Sequence, residues 1–303
     1  MKLVTTTGDF GRYFSSHLDR IKHVYEAGFR YMDLSMYAVT PGEELIESDN
    51  WMETVHSIKE YAMEHGIQFL QAHGPSDNPL SSPEAYDVAV RRMIRSIEVC
   101  GQLGIPNIVI HPGFRADITK EEWFEKNRIF FRELFPAMEK NHVNVLHENT
   151  TSANMPWYFP KTGADMKEFA KFVDHPLFHA CWDTGHANCE GNQYQEILDI
   201  GEELYAVHIN DNRGFQDEHI IPFMGTMNMD EVMHALIDVG FKGPFTLEAD
   251  SPLRPHQYWL GNRRDFEKDN RLANPPLFLQ KEIERFMYQT GKYILEMYDV
   301  FEE

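Results

Sequence analysis

Short apolar runs alternate with amphipathic stretches along the first 250 residues of the chain. Most of these runs end at a glycine, a proline or a polar cluster, which is typical of strands buried in a parallel sheet. The stretches between them repeat apolar residues at helical spacing, as Leu18, Ile21, Val24 and Tyr25 do before Gly28. The pattern therefore predicts a repeating strand–helix unit.

The unit is repeated eight times along the chain. The predicted strands are Lys2–Thr7, Tyr31–Met36, Ile67–Ala72, Asn107–Ile110, Val143–Leu146, Leu177–Trp182, Leu204–Ile209 and Phe245–Leu247. The helices predicted between and after them are Ser16–Ala27, Trp51–His65, Pro83–Leu103, Glu121–Lys140, Asp165–Val173, Tyr194–Gly201 and Met229–Val239. Eight such units favour one closed parallel sheet over two domains. We expect an α/β fold in which residues 1–250 form a single TIM (β/α)8 barrel.

Residues 251–303 follow the eighth strand as a C-terminal extension. The extension begins with a polar, aromatic and proline-containing segment and ends with a helix predicted from about Leu279 to Tyr298. The segment Ser251–Leu277 begins at the mouth of the predicted barrel and contains Trp259. It is interpreted either as a connector that docks the last helix or as a cover over the site, with Trp259 contacting substrate or completing a subunit contact in a homo-oligomer.

Composition narrows the function classes. The 303 residues include 42% hydrophobic positions and carry a formal net charge of −20. This acidity disfavours nucleic acid as a partner, because binding to phosphates depends on Lys and Arg. A local basic cleft is still compatible with this composition. The three cysteines, Cys100, Cys181 and Cys189, have neither disulfide-framework nor metal-type spacing. With no long apolar run that would predict a signal peptide or a membrane span, we expect a cytoplasmic protein.

Six predicted strand ends carry a side chain that can bind a metal ion. These residues are His73, His111, Glu148, Asp183, His208 and Glu248, spaced 25 to 40 residues apart. Since a barrel delivers all its strand ends to one mouth, residues so far apart in sequence are expected to converge there. His186, Asp217 and His219 are further candidates in loops beyond strand ends. Each histidine alone is also compatible with a structural role, and Asp217 and His219 with solvated surface.

A family resemblance is carried by the segments at these strand ends. The segments are His73-Gly74-Pro75, His111-Pro112-Gly113, Glu148-Asn149, Asp183-Thr184-Gly185-His186, His208-Ile209-Asn210-Asp211, Asp217-Glu218-His219 and Leu247-Glu248. Over about residues 1–250 they resemble the xylose-isomerase-like TIM-barrel superfamily. This group of sugar isomerases, epimerases and inosose dehydratases also includes endonuclease IV.

The two branches of this superfamily imply different metal contents. Resemblance to the ketose 3-epimerases implies one divalent metal, usually manganese, held by Glu148, Asp183, His208 and Glu248. It also implies that the two glutamates transfer the proton and that His186 binds substrate. Resemblance to endonuclease IV implies up to three zinc ions. The nine positions that would hold them are all filled: His73, His111, Glu148, Asp183, His186, His208, Asp217, His219 and Glu248.

The function predicted from these observations is a divalent-metal-dependent isomerase or epimerase of a small sugar, keto-sugar or polyol, acting by an enediolate-type proton transfer. His73, His111 and His186 are candidate substrate contacts. Arg213 is a further candidate, although it does not match the substrate-binding arginine of the epimerases securely. The alternatives are a multinuclear, zinc-type phosphoesterase, a dehydratase or lyase on the same metal site, and a barrel that only binds a sugar-like ligand.

Overall fold

Eight parallel strands form a closed barrel in which each strand pairs with its neighbours in chain order. The computed structural model describes residues 1–153, 155, 157–191, 193–249, 252–253 and 274–303. The strands are β1 Leu3–Thr6, β2 Tyr31–Ser35, β3 Gln68–His73, β4 Asn107–Val109, β5 Asn144–Glu148, β6 Phe178–Asp183, β7 Leu204–Ile209 and β8 Phe245–Leu247. β1 pairs with both β2 and β8, which closes the sheet. The predicted TIM-barrel fold is confirmed.

Helices connect the strands and surround the barrel. Those of the described residues are α1 His17–Ala27, α2 Trp51–His65, α3 Pro83–Leu103, α4 Lys120–Asn141, α5 Gly163–Val173, α6 Thr184–Glu190, α7 Tyr194–Ile200, α8 Met229–Asp238 and α9 Leu277–Met297. Thr7–Phe10 and Gly201–Glu203 are short 3-10 helices. The predicted elements begin and end within two residues of the observed ones. In this part of the chain no helix has the length and apolar composition required to cross a membrane.

Among the α-helices of the described residues, one was not predicted. His186 was expected in a loop, but it lies in α6, directly after β6. The sequence of α6 contains a glycine and lacks apolar residues at helical spacing, so periodicity gives no signal there. The helix begins because the Asp183 side chain accepts a hydrogen bond from the His186 backbone N–H at 2.6 Å, which caps its first turn.

Alternation along the strands decides which side chains face the barrel interior. An apolar layer inside the barrel is formed by Val109, Leu146, Cys181 and Ala206. The next inward position on β5, β6 and β7, two residues further along, holds Glu148, Asp183 and His208. The intervening residues face the helices, and His147 stacks on Phe178 with 5.2 Å between ring centroids. On β5, β6 and β7 the ligand-type side chains thus lie one layer above apolar residues, at the carboxyl ends of the strands.

The division of the chain at residue 250 stays a prediction, because residues 250, 251 and 254–273 lie outside the described part of the chain. Helix α9 is described and packs against the barrel. Gly291 allows a close approach there, since a Cβ atom at this position would overlap Leu3 and come within 3.1 Å of Leu247. The C-terminal helix is therefore packed on β1 and β8.

Helix α9 also buries a carboxyl group. Glu284 is fully buried and faces Thr5 and Asp9, where the Thr5 hydroxyl donates a hydrogen bond to Asp9 Oδ2 at 3.2 Å. Burial raises the pKa of Glu284 to about 8. The folded protein therefore keeps this group protonated at neutral pH, whereas the unfolded chain ionises it near the ordinary pKa of about 4.3.

We expect Glu284 to make the protein less stable as the pH rises. Between about pH 5 and 8 the folded state binds one proton more than the unfolded state at this group, so the free energy of unfolding falls by up to about 1.4 kcal/mol per pH unit. Glu284→Gln should remove this contribution and stabilise the protein at about pH 8 relative to the parent. Urea denaturation across this range tests the expectation.

The matched control for this experiment is Glu282→Gln, which removes an exposed carboxylate from the same helix. It should leave the pH dependence of the unfolding free energy unchanged. A Glu284→Gln variant with the same pH dependence as the parent would contradict a protonated Glu284.

Candidate metal centre at the barrel mouth

The ends of β5, β6, β7 and β8 bring four ligand-type side chains together. One ligand atom from each of Glu148, Asp183, His208 and Glu248 lies within 4.8 Å of the others. His208 Nδ1 is 2.8 Å from Glu148 Oε1 and 3.1 Å from Glu248 Oε2. Glu148, Asp183 and His208 are buried, and Glu248 is partly exposed. The four side chains form the central group of the mouth.

Three of the four side chains in the central group are carboxyl groups, and this is electrostatically costly. Burial raises the pKa of Glu248 to about 7, and the nearby charge of Glu148 adds to the effect. Burial also raises the pKa of Asp183. Burial acts on Glu148 in the same direction, but His208 outweighs it and holds the pKa of that carboxyl below its ordinary value. Because carboxylate oxygens and imidazole nitrogens are ordinary Zn²⁺ and Mn²⁺ ligands, the donor set fits a divalent cation that would compensate these charges.

Two asparagines that sequence reasoning did not single out hold Asp183 in place. Asn149 Oδ1 accepts a hydrogen bond from the Asp183 backbone N–H at 2.6 Å, and Asn149 Nδ2 donates to the Asp183 carbonyl at 3.0 Å. Asn210 Nδ2 donates to Asp183 Oδ2 at 2.8 Å. Both asparagines directly follow strands that carry ligand-type residues, and this position was the signal available in the sequence.

A pair of histidines lies beside the central group. His111 Nε2 is 3.1 Å from His73 Nε2 and 3.3 Å from Glu148 Oε2. Burial lowers the pKa of His73 to about 4, so its imidazole is neutral and able to bind a cation. The Tyr37 ring packs edge-on against His73 with 5.1 Å between centroids. His73, His111 and Glu148 form a second group with metal-binding geometry.

A third group lies on the other side of Asp183. Asp217 Oδ2 is 2.9 Å from His219 Nε2 and 3.2 Å from His186 Nε2. The ligand atoms of Asp183, His186 and His219 lie within 4.8 Å of one another. The Asp217 side chain is only 11% exposed, so the alternative of a solvated surface loop does not describe it. Although burial favours the neutral imidazole, Asp183 and Asp217 raise the pKa of His186 to about 10.

The remaining sequence candidates are placed differently. Arg213 donates to Glu218 Oε1 at 2.7 Å and its side chain is 67% exposed. Trp259 lies outside the described residues, so the interpretation of Ser251–Leu277 as a cover stays a prediction. Cys181 joins Glu148 and His208 in a further group of close ligand-type atoms, but burial raises its pKa to about 12, which keeps it a neutral thiol.

The fold and the mouth together define a (β/α)8 barrel with histidines and carboxylates at its strand ends. The chain belongs to the xylose isomerase-like TIM-barrel family, whose model matches residues 21–268. The resemblance seen in the sequence is therefore confirmed. The chain spans 50% to 64% of the length of three curated relatives that it matches. One of them, a probable endonuclease 4 of Shouchella clausii, is 27% identical over 52% of this chain and 58% of its own length.

Solved structures share the fold over nearly the whole chain. D-psicose 3-epimerase with D-tagatose, from Clostridium cellulolyticum H10, has a TM-score of 0.74 at 19% identity and covers 97% of this chain and 99% of its own. The IolI protein with a binding zinc atom has a TM-score of 0.74 at 17% identity and covers 98% of this chain and 99% of its own. At these identities the likeness shows the fold alone.

We expect Gly185→Ala to weaken binding of a divalent cation about tenfold. A Cβ atom at this position would overlap Asn210 Oδ1. Asn210 must then move, and Asp183 Oδ2 loses the hydrogen bond that orients it. Titration of the metal-free protein with Co²⁺, followed by visible absorption, measures the change in dissociation constant.

The control for this substitution is Ala187→Gly, which weakens α6 without adding an atom next to Asn210. It should leave the dissociation constant for Co²⁺ within about threefold of the parent. Equal loss of affinity in the two variants would show that α6, rather than the orientation of Asp183, is responsible.

Proposed function

We propose that this chain is a divalent-metal-dependent isomerase or epimerase of a small sugar, keto-sugar or polyol. The observation that supports this most strongly is the pair of glutamates in the central group. Glu148 and Glu248 come from β5 and β8, and an oxygen of each lies within 3.1 Å of His208 Nδ1. Two carboxylates that approach one point from separate strands supply both a base and an acid for proton transfer at one bound substrate.

The residues that would hold the cation are Glu148, Asp183, His208 and Glu248, with Mn²⁺ or Zn²⁺ matching their donor atoms. When bound, a divalent cation polarises a carbonyl oxygen and makes the adjacent C–H bond more acidic. One glutamate then accepts the proton α to the carbonyl, and the other returns a proton to the neighbouring carbon or to the opposite face. His186, His73 and His111 line the mouth around this point and are suited to contact substrate hydroxyl groups. Arg213 would reach substrate only after leaving Glu218.

The substrate class is supported by the fold relatives. A structure that contains D-tagatose and one that contains zinc share this fold along almost their entire length. The partly exposed position of Glu248 also leaves one of the two glutamates accessible from the mouth. A small, polyhydroxylated molecule therefore fits the proposal better than a polymer does.

A second candidate function is a multinuclear phosphoesterase. It is favoured by the two additional groups, His73–His111–Glu148 and Asp183–His186–His219, which adjoin the central group. The similarity to a probable endonuclease 4 points in the same direction. Up to three cations would then activate water and stabilise a leaving oxygen. The net charge of −20 weighs against DNA as its substrate but not against a small phosphate ester.

Elemental analysis of protein purified without added metal separates the two candidates. We expect one equivalent of manganese or zinc per chain for the isomerase or epimerase, whereas two or three equivalents of zinc would favour the phosphoesterase.

Glu148→Gln and Glu248→Gln should each lower kcat on the active member of a ketose panel by about 10²–10⁴-fold. Glu203→Gln, a carboxylate that contacts His179 at the opposite end of β6, is the control and should leave kcat unchanged.

Proton transfer gives an independent test. If a proton is removed from the carbon α to the carbonyl, turnover in heavy water should place deuterium at that carbon. Some of the original proton can be retained, because a buried glutamate exchanges slowly with solvent. Mass spectrometry or NMR of the product measures both fractions. Turnover that neither exchanges nor transfers this proton would contradict the mechanism and favour hydrolysis or a hydride route.

A further inference from the structure

One part of the barrel interior is polar without facing the mouth. Asp33 on β2, Gln71 on β3 and Thr246 on β8 are at most 1% exposed. Each precedes a mouth position by two residues, as the apolar layer of Val109, Leu146, Cys181 and Ala206 does on the other strands. Bulky branched residues usually fill this layer of a TIM barrel. A carboxyl, an amide and a hydroxyl group buried here therefore need an explanation.

These three side chains are connected to His208. Gln71 Nε2 lies 2.9 Å from Asp33 Oδ2 and 2.7 Å from His208 Nε2. On the other side of the amide, Gln71 Oε1 lies 3.5 Å from Thr246 Oγ1. The His208 ring is thus held at both nitrogens, because Nδ1 faces Glu148 and Glu248 while Nε2 faces Gln71. We name Asp33, Gln71 and Thr246 the polar floor.

Metal binding imposes a definite hydrogen-bond pattern on this floor. His208 would bind a cation in the central group through Nδ1, because this is the nitrogen that faces the carboxylates. A neutral imidazole that binds through Nδ1 carries its proton on Nε2 and needs an acceptor for it. That acceptor is the Gln71 amide when it turns its oxygen towards His208. Its NH₂ group then faces the Thr246 hydroxyl oxygen, which accepts.

The orientation of the Gln71 amide, with its oxygen towards His208, also determines the protonation state of Asp33. The end of the Gln71 amide that faces His208 also faces Asp33 Oδ2. If this end is the oxygen, Asp33 must donate a hydrogen bond and is therefore the neutral acid. Burial raises the pKa of Asp33, which is consistent with this state. Asp33 Oδ2, both amide atoms of Gln71 and both ring nitrogens of His208 then each face a complementary partner.

We propose that Gln71, oriented by Asp33 and Thr246, is a positioning residue that keeps the proton of His208 on Nε2 and so leaves Nδ1 free to bind the divalent cation. This inference rests on the proposed metal site and goes beyond it, because it assigns a role to residues that touch neither cation nor substrate. Cys181 also contacts His208, but a neutral thiol is a weak hydrogen-bonding partner compared with an amide.

The test compares metal affinity rather than turnover. Gln71→Leu removes the acceptor at similar volume, and we expect it to weaken Co²⁺ binding by about 10–100-fold. Gln71→Met serves the same purpose if the leucine variant does not fold. Gln71→Glu restores an acceptor and should bring the dissociation constant back to within a few-fold of the parent. Asp33→Asn can still donate to the Gln71 oxygen and should also retain affinity.

The control is Cys181→Ala, which removes the other neighbour of His208 from the same layer and should leave the dissociation constant within about threefold. Urea denaturation of each metal-free variant shows whether a loss of affinity merely follows a loss of stability. Equal Co²⁺ binding by the parent and both apolar Gln71 variants would overturn the inference, as would failure of Gln71→Glu to restore binding. Loss of Co²⁺ affinity in Asp33→Asn would contradict the assignment of Asp33 as a neutral acid.

The same measurement separates this inference from the proposed reaction. Weakened Co²⁺ binding in Gln71→Leu supports the positioning role even if no ketose is turned over. If the parent protein binds no divalent cation, the inference and the proposed metal-dependent function are both overturned.

Discussion

Three acidic side chains, Glu148, Asp183 and Glu248, must occupy one small volume because a closed eight-stranded barrel delivers the ends of all its strands to one mouth. Like charges so close together and so poorly hydrated repel strongly. Two neighbouring groups reduce this repulsion: His208 lies against Glu148, and the Asn210 amide donates a hydrogen bond to Asp183 Oδ2, while Asn149 pairs with the Asp183 backbone. These contacts therefore allow the three acidic side chains to lie close together at the mouth.

The layer of side chains beneath the mouth differs from one side of the barrel to the other. Under β4 to β7 it is apolar, and under β2, β3 and β8 it is polar. An entirely apolar floor would leave His208 Nε2 without a strong hydrogen-bonding partner in the barrel interior, at a cost of about 1–3 kcal/mol. The polar half of the floor therefore contributes the specific orientation of one ring, while the apolar half contributes packing. The interior of this barrel therefore combines a packed apolar part with a hydrogen-bonded polar part.

The sequence predicts the barrel and the convergence of the strand-end side chains, because short apolar runs and the polar residues that end them are local signals. The hydrogen bonds between strands are not local. Asp33 and Gln71 lie within apolar strands, where a polar residue normally indicates a solvent-facing position, and only the register of β2 against β3 shows that they are neighbours inside the barrel. Helix α6 is held by a cap from Asp183 rather than by periodicity. The ion pair of Arg213 with Glu218 likewise depends on the conformation of the loop after β7.

The geometry of Glu148 links the number of cations to the type of chemistry. Its Oε1 faces His208 Nδ1 at 2.8 Å, and its Oε2 faces His111 Nε2 at 3.3 Å. If cations were held both by the central group and by His73 and His111, both Glu148 oxygens would serve as ligands, and neither would be free to accept a proton from carbon; such a site would supply the water activation that hydrolysis needs. With only the central group filled, Oε2 remains available to act as a base. Under the two proposed functions, the occupancy of the His73–His111 pair would therefore distinguish proton transfer from hydrolysis.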